Sequence, residues 1–220
     1  MCMIIASEWG LLQSFYESNA AGQAIVVALL IFSFLAWSVM IGKYMELSGL
    51  RLRNQRIERL LHTQSTVLGC KVNDKTSPYG KLLSAAIHAH SAISGHVEKN
   101  NLMGPIENAI RRVLAEQILK YESRMVLLGS IVTGAPFLGL LGTVWGVMDS
   151  FGAVGTQNSV TLQTLAPGVS GALLTTVAGL LVAIPSVFGY NYLLSHAKIM
   201  ATELENFASL IADRIEIELR

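Results

Sequence analysis

The sequence predicts an all-α integral membrane protein with three transmembrane helices and long cytoplasmic helical extensions. Three observations carry this. Charged residues make up 14% of the 220-residue chain and apolar residues 52%, where a soluble domain has about 25% charged residues. The deficit is concentrated: between Arg124 and Lys198 there is no Lys or Arg, and Asp149 is the sole acidic residue. A charged side chain at the bilayer centre costs roughly 3 kcal/mol on insertion scales, so such a stretch has the composition of a membrane span. Finally, Lys and Arg are confined to two segments, thirteen between residues 43 and 124 and three after residue 195. The net charge of +1 gives no support to nucleic-acid binding.

Residues 1–21 form a short N-terminal segment, with Trp9, Phe15 and Tyr16 among polar residues, the pattern of an interfacial amphipathic helix. It has no positively charged start and no small-residue cleavage site, so the apolar segment after it is expected to stay as an anchor. Residues 22–42 carry no charge and match the roughly 20 residues needed to cross about 30 Å of hydrocarbon. Residues 43–124 form a cytoplasmic helical region. Leu47, Leu50, Ile57, Leu60 and Leu61 recur at helical spacing, and Cys70–Pro78 reads as a loop. Helix resumes near Tyr79, breaks around Gly95 and Asn100–Asn101, and restarts with Pro105 in its first turn. No breaker follows, so one helix is expected to run on into the second span, residues 125–151. Residues 152–165 are an uncharged connection, 166–194 the third span, with Pro185 a candidate kink, and 195–220 an amphipathic tail helix with Leu204, Phe207, Leu210, Ile211 and Ile215 on one face.

The distribution of Lys and Arg sets the orientation. None precedes the first span or falls in the connection. The N-terminus and the connection are therefore expected outside, periplasmic, and the insert and tail in the cytoplasm.

Small residues stripe both later spans. Gly139, Gly142, Thr143, Gly146 and Ser150 are spaced by three and four, and Gly168, Gly171, Ala172, Thr175, Gly179 and Ala183 repeat the pattern. Such faces let helix backbones approach closely in a bilayer, and packing alone accounts for them equally well. Depth adds a second reading. Thr143 lies nine residues before Gly152, and Thr176 ten residues after Ala166, so both fall about 15 Å from the outer boundary. Asp149 lies about two turns further out, at a candidate pore mouth or as a solvated helix-end carboxylate. His88, His90 and His96 do not have the i, i+4 spacing of a metal helix, and Cys2 and Cys70 have no ligand or disulfide spacing. No metal, cofactor or enzymatic motif is indicated.

The stretch Ala135-Pro-Phe-Leu-Gly-Leu-Leu-Gly-Thr-Val-Trp-Gly-Val-Met148 resembles the second-span signature of the ExbB/TolQ/MotA proton-channel family. Ala166-Pro-Gly-Val-Ser-Gly-Ala-Leu-Leu-Thr-Thr-Val-Ala-Gly-Leu-Leu-Val-Ala-Ile-Pro185 resembles its third-span signature. The likeness is to ExbB and TolQ more than to MotA, which has an extra span. It implies a bacterial inner-membrane subunit that assembles as a ring, a pentamer in family members. The ring encloses helices of an ExbD/TolR-like single-span partner that carries a membrane aspartate, and a TonB/TolA-like protein lies beyond. Proton flow then energises outer-membrane transport or envelope maintenance. The resemblance places Thr143 and Thr176 on the pore wall, with Thr175 at a looser lining position. It also marks a departure, because the family usually has a glutamate where this chain has Gly171. Two other classes compete: a non-conducting scaffold that packs partner helices, and a small solute transporter. The second is disfavoured because so short a chain shows no inverted repeat or broken helix pair.

Overall fold

The computed structural model describes residues 14–16, 18–64, 66–69, 76–93, 102–154 and 162–220, and all regular structure among them is helical. After a helical turn at 14–16 come α1 (Ala20–Thr63), α2 (Pro78–Ile93), α3 (Met103–Glu122), α4 (Met125–Val154) and α5 (Leu162–Leu219). Three stretches, Ala20–Leu61, Met103–Gly152 and Leu165–Leu219, are long and apolar enough to cross a membrane. The readings at Gly95, His96 and Asn100–Asn101, most of the Cys70–Pro78 loop and half of the 152–165 connection lie outside the described residues.

The first span and the amphipathic stretch after it are one helix of 44 residues, and the third span and the tail are one helix of 58 residues that continues through Pro185. The expected unbroken run from Pro105 into the second span is interrupted instead. α3 ends at Glu122, Ser123 leaves the helix at φ −57° and ψ 142°, and Arg124 takes φ 67°. The cause is local. The backbone N–H and hydroxyl of Ser123 both bond the Lys120 carbonyl, at 3.3 and 2.7 Å, a side-chain alternative to helix continuation that serine offers and an apolar residue does not.

The chain divides into two compact units, Met1–Ile41 with Arg124–Asn191, and Gly42–Ser123 with Tyr192–Arg220. The first has a core of contrasting sizes: Leu29, Leu128 and Ile131 are buried beside Ala36, Ala135, Ala172 and Ala183. Its outer surface is apolar, with Phe34, Trp37, Phe137, Leu141, Leu181 and Phe188 exposed. In water so large a patch would be a liability, and in lipid it is the solvated face. Within this unit Ser18 meets Gly171 and Met40 meets Gly189, so α1 and α5 run parallel. Gly142 meets Thr175 and Gly146 meets Ala172, so α4 and α5 run antiparallel.

The second unit has the core of a soluble helical protein: Leu47, Ile57, Leu61, Leu82, Ile106, Leu204, Phe207, Ile211 and Ile215 are all buried. α2 begins with Ser77 as cap, its hydroxyl accepting from the Gly80 N–H at 2.9 Å, and Pro78 as first helical residue, the arrangement that satisfies orphan donors at a helix start. α2 packs on α3. Tyr79 stacks on Phe207 with ring centroids 3.8 Å apart and donates its hydroxyl proton to the Glu203 carbonyl at 3.2 Å. Two side chains near the end of α5 hold the end of α1: Arg214 donates to the Leu61 carbonyl at 2.9 Å, and the Glu218 carboxylate accepts from the backbone N–H groups of Val67 and Leu68. Lys43 is fully buried, and its ammonium donates to the Lys120 carbonyl at 2.8 Å, to Ser123 Oγ at 3.2 Å and to Glu46 at 3.3 Å. A cation there offsets the partial negative charge at the C-terminus of α3.

The helix seam as candidate functional site

The two small-residue stripes face one another across α4 and α5. A Cβ placed on Gly139 would lie 2.8 Å from the Thr175 carbonyl oxygen, and one on Gly179 2.7 Å from the Ala135 carbonyl oxygen. A Cβ on Gly146 would lie 2.7 Å from that of Ala172, one on Gly142 would overlap the Thr175 side chain, and one on Gly168 the Ser150 hydroxyl. Backbone therefore rests on backbone, which is why the sequence keeps these positions bare.

The threonines split in their roles at this seam. Thr175 is fully enclosed, its hydroxyl 2.7 Å from the Ala172 carbonyl of its own helix and 3.0 Å from the Gly139 carbonyl of α4. Thr176 is partly exposed and donates to the same Gly139 carbonyl at 3.1 Å. Thr143 is also partly exposed and bonds back to the Leu140 carbonyl at 2.8 Å, the habit of a membrane threonine without an outside partner.

Helical rotation of about 100° per residue puts Thr143 roughly 70° from the mean direction of Gly139, Gly142 and Gly146, and Asp149 roughly 50° to the other side. On α5, Thr176 and Gly171 flank the stripe in the same way, about 70° to either side. Because the helices are antiparallel, Thr143 and Thr176 share one side of the seam, and Asp149 and Gly171 share the opposite side. Asp149 is exposed, and its carboxylate accepts from Asn19 Nδ2 at 3.2 Å. Gly171 abuts Ser18 and Ser14 of the stretch before α1. Sequence reasoning missed Asn19, Ser18 and Lys43. The Asn19 cap was legible as an Asn just before a helix start, whereas its contact with Asp149 spans 130 residues and left no periodic trace.

His88 and His90 lie on α2, and among the described residues no three His, Cys, Asp or Glu side chains converge on a metal site.

A helical bundle with an apolar outer face, whose α4–α5 seam is lined by glycines, alanines and hydroxyls from Ala135 to Ser150, defines a multi-pass membrane protein built around close helix packing. Residues 75–206 match the family model of the MotA/TolQ/ExbB proton channel family, and the chain belongs to that family. Its members are channels rather than enzymes. The chain is 31% identical to the biopolymer transport protein ExbB of Pseudomonas putida over 188 residues, 84% of this chain and 56% of that protein. It is 34% identical to the Tol-Pal system protein TolQ of Pseudomonas aeruginosa over 112 residues, 51% of this chain and 48% of that protein. It thus spans about half the length of these two relatives. With TolQ of Haemophilus influenzae it shares 28% identity over 223 residues, 92% of each chain.

Proposed function

We propose that this chain is the ring-forming subunit of an inner-membrane proton channel of the ExbB/TolQ kind. It works with an ExbD/TolR-like single-span partner, and through a TonB/TolA-like protein it energises outer-membrane transport or envelope maintenance. The N-terminus is periplasmic, the extensions of α1 and α5 with α2 and α3 are cytoplasmic, and a ring of copies, a pentamer on the family pattern, surrounds the partner's helices. The observation that carries the reading is the pair Thr143 and Thr176: two partly exposed hydroxyls on one side of the α4–α5 seam, at matching depth.

A threonine hydroxyl carries no charge at neutral pH, but it donates and accepts hydrogen bonds and so can hold water and a partner carboxylate in either protonation state. The titrating acid belongs to the partner helix. Thr175, enclosed between α4 and α5, serves the seam: its hydroxyl ties the two pore helices so that its neighbour is presented outward. Gly139, Gly142, Gly146, Gly168, Ala172 and Gly179 keep the helices close enough for that bond to form.

Thr→Val retains shape and deletes the hydroxyl, so it separates lining from packing. The test is proton flux in vesicles containing the chain and its partner, with complex recovery measured alongside. Thr143→Val and Thr176→Val should each form intact complexes whose flux falls about tenfold or more, the equivalent of one hydrogen bond to a charged group. Thr175→Val should leave flux nearly unchanged and lower thermal stability slightly, as interhelical hydrogen bonds in membranes average about 0.6 kcal/mol. Full flux in both of the first two variants would return the chain to the scaffold class.

A further inference from the structure

The side of the seam opposite Thr143 and Thr176 is occupied by the stretch that precedes α1. Asn19 acts in two directions there. Its Oδ1 accepts from the Gly22 N–H at 2.7 Å and caps α1, while its Nδ2 donates to Asp149 Oδ2 on α4 at 3.2 Å. The hydroxyls of Ser14 and Ser170 are 3.2 Å apart, which adds a tie to α5. Between these ties, Gly171 forms a notch. A Cβ there would lie 2.9 Å from both Cα and Cβ of Ser18 and 3.1 Å from the Ser14 carbonyl oxygen. The turn is braced from behind as well, since the Gln23 side-chain amide donates to the carbonyls of Phe15 and Ser18, each at 3.2 Å.

We infer that this turn is a latch that ties α1 to α4 through Asn19 and to α5 through Ser14; Asn19 is a positioning residue, and Asp149 is its anchor rather than a proton carrier. The bare Gly171 has a reason in this arrangement. Any side chain at that position, the glutamate of the resembled family included, would occupy the space of the Ser18 backbone. Asp149 lies about 120° around α4 from Thr143, so its bond to Asn19 holds the helix in rotation without entering the path of the hydroxyls. The effect on flux rests on the reading of Thr143 and Thr176 given above, whereas the latch itself does not.

The experiment uses the full chain with its partner in membranes, in a background in which Cys2→Ser and Cys70→Ser remove the native thiols. Ser14→Cys with Ser170→Cys reports closure by disulfide formation under mild oxidation, and proton flux is read in parallel on chains without that pair. Asn19→Asp keeps the cap, because Asp and Asn cap helices equally well, but sets a second carboxylate against Asp149. Cross-linking and flux should both fall to background. Asp149→Asn preserves an acceptor for the Asn19 amide, and both readouts should be retained. The double variant restores an amide–carboxylate pair with the partners exchanged, and both should recover. A residue that only capped α1 would tolerate Asn19→Asp and gain nothing from the exchange. Gly171→Ala is the uncharged control and should lower cross-linking by displacing the turn.

Loss of flux in Asp149→Asn with cross-linking intact would put Asp149 in the proton path and overturn the inference. So would undiminished cross-linking in Asn19→Asp or, should that variant not insert, in Gly171→Ala. Normal cross-linking through Ser14→Cys and Ser170→Cys in the unaltered Asn19–Asp149 background, with no proton flux in the matching chain without that pair, would defeat the channel reading alone.

Discussion

At Gly142 one hydrogen atom decides how closely two membrane helices approach. Any Cβ there overlaps the Thr175 side chain, whereas a Cβ on Gly134 of the same helix meets nothing within 4 Å. Gly142→Leu should therefore force α4 and α5 apart and reduce the oligomer seen by native mass spectrometry, while Gly134→Ala should leave it unchanged. An oligomer unaffected by Gly142→Leu would show that the seam does not support assembly. Lys43 makes the opposite case, a long charged side chain that the fold encloses completely and satisfies with a carbonyl, a hydroxyl and a carboxylate. Lys43→Met removes three charge-assisted bonds and should cost about 2–3 kcal/mol, read as a lower Tm in detergent. The sequence counts this lysine as one more positive charge after the first span. Its separate role depends on α3 ending where it does, and nothing within five residues of Lys43 announces that.

At the scale of elements, helix existence is legible and helix continuity is not. Charge-free length marks the spans, and the three-and-four spacing of glycines marks the seam, because both depend on neighbours along the chain. The joins depend on what a few polar atoms meet in space. Ser123 reads as an ordinary helix residue until its hydroxyl and N–H settle on the Lys120 carbonyl, and the amphipathic tail reads as separate although α5 runs through. The break has a testable cost. Arg124 holds φ 67°, where an L-residue is disfavoured by roughly 1–2 kcal/mol and glycine is not. Arg124→Gly should raise the Tm or leave it unchanged and Arg124→Val should lower it; equal effects would mean that the positive φ carries no strain in solution. The α2–α3 pair predicts a pH dependence. Burial pushes the Tyr121 hydroxyl up to about 12 from an ordinary value of 10.0 and raises that of Tyr79 as well. In the folded state these groups hold their protons more tightly than in the unfolded chain, so their contribution is complete below pH 10 and is lost as pH rises towards 12. Melting curves from pH 8 upward should be level to about 10 and then fall, and Tyr121→Phe should flatten part of that fall.

For the molecule as a whole, chain direction and charge predict the same topology. Within the membrane-type unit α1 runs parallel to α5, while α4 runs antiparallel to α5. A chain that crosses a bilayer three times needs its first and third crossings to share a direction and its second to oppose them. A two-span hairpin with α1 lying on the surface has no such requirement. The thirteen Lys and Arg of residues 43–124 and the three of the tail all lie beyond the charge-free first halves of α1 and α5, on the side that the positive-inside rule predicts to be cytoplasmic. The sidedness is checked in intact spheroplasts carrying Cys2→Ser and Cys70→Ser. A membrane-impermeant maleimide should label Gln157→Cys, in the connection between the second and third spans, and should reach Lys75→Cys only after the cells are opened. The reverse pattern would invert the protein and move the basic extensions outside. Labelling of both from outside would remove the second crossing and, with it, the antiparallel α4–α5 pair on which the seam is built.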